Sequence, residues 1–144
     1  MSAPATAVAE NPPGYGGGGR KDGIGESARL GRRGEEAAAR WLEARGMRIL
    51  ARCFRVRGGE IDLVARDGST LVFVEVKSRS GLSFGRPSEA VDRRKRVRLV
   101  RAAALYLLAH GGDERPCRFD VIEVVADPTG RLSMRHLRDA FDAT

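Results

Sequence analysis

The chain has 144 residues, 42% of them hydrophobic, which suits one domain with a core of ordinary size. Its 26 Lys and Arg against 19 Asp and Glu leave a formal charge of +7, so the favoured partner is a polyanion, with nucleic acid ahead of an anionic membrane surface. The longest uninterrupted apolar run, Ala102 to Ala109, is far too short to span a bilayer. The N-terminus has neither a basic n-region nor an apolar h-region, and Cys53 and Cys117 make no disulfide framework, so a reducing cytoplasm is expected.

Residues 1–26 hold Pro4, Pro12, Pro13 and a glycine cluster from Gly14 to Gly25, with little to bury, and are expected to be a disordered tail. Gly14-Tyr15-Gly16-Gly17-Gly18-Gly19 formally matches G-x-G-x-x-G, but no strand precedes it and low-complexity glycine produces such matches by chance. The single folded domain is expected over 27–144. From Ser27 to about Arg45 the spacing of Leu30, Ala37, Ala38, Trp41 and Leu42 predicts a helix stopped by Gly46, with Trp41 as a core anchor. Three short strands follow, Ile49–Val56, Ile61–Ala65 and Leu71–Val76, divided by Gly58-Gly59 and Asp67-Gly68. A second helix is written by Val91, Val97, Val100, Ala104, Leu107 and Leu108 and ends at Gly111-Gly112. Phe119–Val125 reads as a fourth strand, and the piece from Arg131 onward is weakly patterned. A strand, a long helix and another strand imply a crossover, so the third and fourth strands are expected to be parallel. The result is an α-β-β-β-α-β core with a central mixed sheet flanked by helices.

A two-residue turn at Gly68-Ser69 sets Asp62 directly opposite Glu75, and alternation puts Lys77 and Phe73 on the Glu75 face. Ile61, Leu63, Ala65, Val72, Val74 and Val76 are expected to fill the other face. Facing carboxylates repel unless something positive lies between them, and a divalent cation such as Mg²⁺ prefers such oxygen ligands. A solvated hairpin face with Lys77 paired to one acid would satisfy the same pattern. Glu35 falls on the apolar stripe of the first helix, unlike Glu36, and so needs a metal, a hydrogen bond or an arginine partner. In the second helix Arg94, Arg98 and Arg101 recur at helical spacing, either as a ridge that tracks phosphates or as a solvated face. Asp120 reads as an outlying site acid or, by preference, a satisfied strand residue. His110, His136 and the two cysteines make no zinc pattern.

Glu35, Gly59-Glu60-Ile61-Asp62 and Phe73-Val74-Glu75-Val76-Lys77 resemble the PD-(D/E)XK nuclease pattern. More narrowly, Leu30 to about Val125 resembles the bacterial YraN family, itself related to archaeal Holliday junction resolvases. The resemblance rests on Gly31-Arg32-Arg33-Gly34-Glu35, Arg57 to Val64, Val72 to Lys77, Phe84-Gly85, Ala90-Val91, Lys95 and Arg118-Phe119-Asp120-Val121. It implies a restriction-endonuclease-like fold and a Mg²⁺-dependent DNA endonuclease, with Mn²⁺ as a substitute, acting on branched or damaged DNA. Asp62, Glu75 and the Val76 carbonyl would be metal ligands, with Glu35 in direct or outer contact. Lys77 would help deprotonate the attacking water, and Lys95 would hold a substrate phosphate. Cutting both strands of a duplex would call for a homodimer. The alternative implied by the same residues is a nucleic-acid-binding module that keeps the fold without turnover.

Overall fold

The computed structural model describes residues 6–10, 25–86, 91–111 and 114–142. Its elements are β1 (Thr6–Glu10), α1 (Glu26–Ala44), β2 (Arg48–Val56), β3 (Gly59–Asp67), β4 (Thr70–Ser80), α2 (Arg93–Ala109), β5 (Cys117–Ala126) and β6 (Leu132–Phe141). The sheet runs in the order β1-β6-β5-β4-β3-β2. β4 and β5 are parallel, joined through α2, and every other neighbouring pair is antiparallel. This mixed sheet between two helices is the restriction-endonuclease-like arrangement expected. No described helix is long and apolar enough to cross a membrane.

One helix covers each face of the sheet. α1 brings Ala37, Ala38, Trp41 and Leu42 onto Leu63, Ala65, Val72, Val74, Ile122 and Val124. It ends where expected, with Gly46 at φ 85 and the Met47 amide closing back on the Leu42 carbonyl at 3.0 Å. On the other face α2 buries Leu99, Ala102, Ala103 and Tyr106 against Ile61, Val64, Phe73, Phe119 and Val121. Tyr106 meets Phe54 and Phe73 edge-on, with centroids 5.2 and 5.9 Å away.

The buried stripe of α2 therefore differs from the one expected, since Val97 is 62% and Leu108 74% exposed. Apolar residues occur all round this helix, so periodicity alone fits more than one stripe; close approach to the sheet selects between them. Small Ala102 faces Gly59, where an added Cβ would lie only 2.3 Å from the Arg98 carbonyl oxygen and 3.2 Å from the Ala102 nitrogen. Because the obstruction is helix backbone, Gly59→Ala is expected to destabilise the fold by about 1–3 kcal/mol, the usual cost of overpacking. Urea unfolding of the variant beside the wild type measures it.

Three further expectations are corrected. The weakly patterned C-terminal piece is a ten-residue strand, β6, although Arg135, Arg138 and Asp139 break up its apolar alternation. Thr6–Glu10, placed by sequence in a disordered tail, forms β1 and pairs along β6, covering the backbone of what would otherwise be an exposed edge. Its flanking prolines and glycines hid this short β-prone segment. Residues 1–5 and 11–24, and with them the Gly14–Gly19 match, lie outside the described residues. Finally, Ile61 packs on the α2 face, apart from Leu63 and Ala65. Arg52 pairs with Leu63 and Phe54 with Ile61, so Cys53 and Asp62 stand opposite one another, outside the ladder, with Cys53 at φ 50. Alternation breaks at that level, and the candidate site lies there.

Candidate active site

The β3–β4 hairpin has the register that its turn dictates: Asp67 opposes Thr70, and the ladder climbs to Leu63 opposite Val74. It stops one step below Asp62 and Glu75. There the Asp62 side chain intrudes, and its Oδ2 accepts the Val76 amide proton at 2.8 Å. Glu75 is 8% exposed, and its carboxyl is hydrogen-bonded to that of Asp62. Such a bond needs a proton between the two groups, and the electrostatics supply it. Burial first, then the Asp62 charge, push Glu75 up to about 8, against the opposing pull of Lys95. Burial also raises Asp62, while the Val76 amide works against the rise. At neutral pH the pair therefore retains a proton.

Lys95, in the first turn of α2, reaches across to Glu75 with Nζ 3.2 Å from Oε1. Its backbone amide is fixed by the Asp92 side chain at 2.9 Å, which caps the helix. Lys77 is half-buried two residues beyond Glu75, beside Glu123 in the β4–β5 register. The intervening Val76 packs towards α1, so strand alternation directs Lys77 to the α2 side with Glu75.

Glu35 is held apart from this pair. Its Oε2 accepts from the Cys53 thiol at 3.5 Å, and burial followed by the Asp62 charge raises its pKa. It is thus an electrostatic neighbour of Asp62, and among the described residues no three His, Cys, Asp or Glu side chains converge tightly enough to enclose a metal. Glu36, on the solvated side as expected, pairs with Arg52 at 2.7 Å and Arg40 at 3.4 Å.

A cavity of about 320 Å³ opens beside Glu75, lined by Glu60, Asp92, Arg94, Lys95 and Arg98 as well. Arg94 and Arg98 thus share this cavity with Glu75. Arg101 turns instead to the β2–β3 connection and donates from Nε to the Arg57 carbonyl at 2.7 Å.

Several conspicuous residues prove structural. Asp120, buried to 1%, receives His136 Nε2 at 2.7 Å, the Asp139 amide at 3.0 Å and Arg118 Nε at 3.1 Å. Burial works to raise its pKa, but these donors hold it below the usual carboxylate range. Trp41, in the core as expected, donates to His136 Nδ1 at 3.3 Å. His136 thus accepts on Nδ1 and donates from Nε2. Arg118 also ties the start of β5 to Asp67 at 2.8 Å, so Arg118 and Asp120 of the Arg-Phe-Asp-Val stretch serve packing. The fully buried Glu123 pairs with Arg135 at 2.5 Å.

Sequence reasoning did not identify Cys53 and Glu60 as site neighbours, or Lys95 as the partner of Glu75. The Lys95 contact was legible in principle: a stripe drawn through Leu99, Ala102, Ala103 and Tyr106 extends one turn back to position 95. No pattern marked Cys53, which reaches Glu35 only through the irregularity opposite Asp62.

The model of the uncharacterised protein family UPF0102 matches residues 34–124. A UPF0102 protein of Symbiobacterium thermophilum is 55% identical over 117 residues, covering 81% of this chain and 99% of the relative. One from Beutenbergia cavernae is 51% identical, covering 76% of this chain and 92% of its own. Another, from Anaeromyxobacter dehalogenans, is 50% identical over 126 residues, 88% of this chain and 92% of that protein. The names of these relatives state no activity.

Proposed function

Given that the chain belongs to the UPF0102 family, we propose that it is a divalent-metal-dependent endonuclease that hydrolyses DNA phosphodiesters, on branched or damaged DNA, in the cytoplasm. The observation that carries this reading is the buried Asp62–Glu75 carboxyl pair with an ammonium already seated on Glu75. Two oxygen-rich groups that share a proton and draw in a cation have the donor chemistry Mg²⁺ takes, commonly from one or two carboxylates with the rest from water and phosphate. Asp62, Glu75 and the Val76 carbonyl would hold it, with Glu35 in outer contact. A bound Mg²⁺ or Mn²⁺ would supply charge on the phosphoryl oxygen and a more acidic water.

The chain's own groups would do the remaining work. Glu75 and Asp62 would release their shared proton to solvent on holding the ion, and the Val76 amide keeps Asp62 oriented. Lys77 neutralises charge that develops on the phosphate and assists deprotonation of water. Arg94 and Arg98 receive the DNA backbone, a contact made with phosphates and therefore indifferent to sequence and weakened by salt.

One observation favours a second reading. Glu35 rests on Cys53 away from the pair, which suits a module that binds nucleic acid without cutting it. A panel of duplex, forked, four-way and single-stranded DNA, incubated with Mg²⁺, Mn²⁺ or EDTA, separates the two. Cleavage with either metal and none in EDTA is the expected result; tight, salt-sensitive binding without cleavage in any lane would replace the nuclease by the module.

A further inference from the structure

Lys95 touches the carboxyl pair in a lopsided way. The Glu75 side chain is 11% exposed and fixed within the sheet, whereas that of Lys95 is 48% exposed at the end of a flexible stem. Its backbone is immobilised at the capped start of α2, and Gly59 lets that helix sit tight on β3. The side chain can therefore leave Glu75 without any movement of the fold. It would leave into the cavity shared with Arg94 and Arg98, whose wall also carries Asp92 and Glu60. With Lys95 committed to Glu75, two arginines face those acids and the cavity is poorly suited to an anion. With Lys95 released, three cations line it.

We propose that Lys95 is an exchangeable counter-ion. It holds Glu75 while no divalent cation is bound, and turns to a nucleic-acid phosphate beside Arg94 and Arg98 once one is. This rests on the reading of Asp62 and Glu75 as metal ligands, and it adds a coupling between two binding events. Divalent cation and DNA phosphate each favour the state of Lys95 that the other needs, so each tightens the other's binding by the same factor.

The test uses the full chain and two readouts that need no turnover: Mn²⁺ binding without DNA, by calorimetry, and affinity for a fluorescent duplex with Ca²⁺ or EDTA. Wild type, Lys95→Met, Lys95→Gln and Asp62→Asn are compared, each checked for folding by circular dichroism. Without an ammonium to displace, both Lys95 variants should bind Mn²⁺ about tenfold more tightly than wild type, and the wild type's gain in DNA affinity with Ca²⁺, about fivefold or more, should vanish in them. If Asp62→Asn abolishes Mn²⁺ binding but the Lys95 variants bind it no more tightly than wild type, the exchange is wrong and the metal site stands. If Asp62→Asn binds Mn²⁺ as wild type does, the metal site is wrong and the exchange goes with it.

Discussion

Asp62→Asn and Lys77→Ala should each lower metal-dependent DNA cleavage by roughly 10²–10⁴-fold, the range set by removal of a metal ligand or a charge-stabilising group. Both variants should keep their fold. The asparagine carbonyl can still accept the Val76 amide now bound by Asp62 Oδ2, and Lys77 is only half-buried. Without a divalent cation DNA affinity should change little, because Arg94 and Arg98 line the cavity and neither variant alters them. The distinguishing measurement is single-turnover cleavage in Mg²⁺ beside anisotropy of labelled DNA in EDTA. A fall in rate without a matching fall in affinity assigns the residues to chemistry. Full cleavage by both variants would exclude hydrolysis at this site.

The second large effect is on stability and has a defined sign. Glu75 lies at about 8 in the folded chain against an ordinary 4.5, chiefly because it is buried, with the Asp62 charge adding to the rise. A carboxyl raised on folding favours the native state below its unfolded value, and that contribution is lost as pH rises through the folded value. In EDTA the chain should therefore weaken between about pH 5 and pH 9 relative to Glu75→Gln, which carries no titratable group there. At pH 9 the variant should be the more stable by on the order of 3 kcal/mol. Asp62, also raised, acts in the same direction. Urea unfolding of both proteins at pH 5, 7 and 9 gives the difference, and a gap that stays constant across this range would refute the assignment. Adding Mg²⁺ at pH 9 should narrow the gap, since a ligand of the ionised pair stabilises only the wild type.

The approach of Asp62 to Glu75 was legible in the sequence. Gly68-Ser69 is a two-residue turn, so the partner of every β3 residue up to Leu63 followed from counting. α1 was equally plain, because its alanines and Leu42 form a single stripe and Gly46 stops it. What escaped had no local signature. The stripe of α2 was decided by a glycine on another element. The buried His136 of β6 is tolerable only because Trp41 and Asp120, on α1 and β5, satisfy both its nitrogens. Ile61 changes face where the pairing of β2 and β3 is interrupted at Cys53 and Asp62, with Cys53 in the left-handed region. The Glu75–Lys95 contact spans twenty residues and depends on how a helix lies on the sheet.

The parallel junction of β4 and β5 gives that last contact a history. A hairpin closes on itself in microseconds, whereas a parallel pair must wait for its crossover helix to fold and dock. Asp62 and Glu75 belong to the early event and Lys95 to the late one. A growing chain therefore brings two mutually repelling acids together before their ammonium arrives, and only then does seating of α2 relieve them.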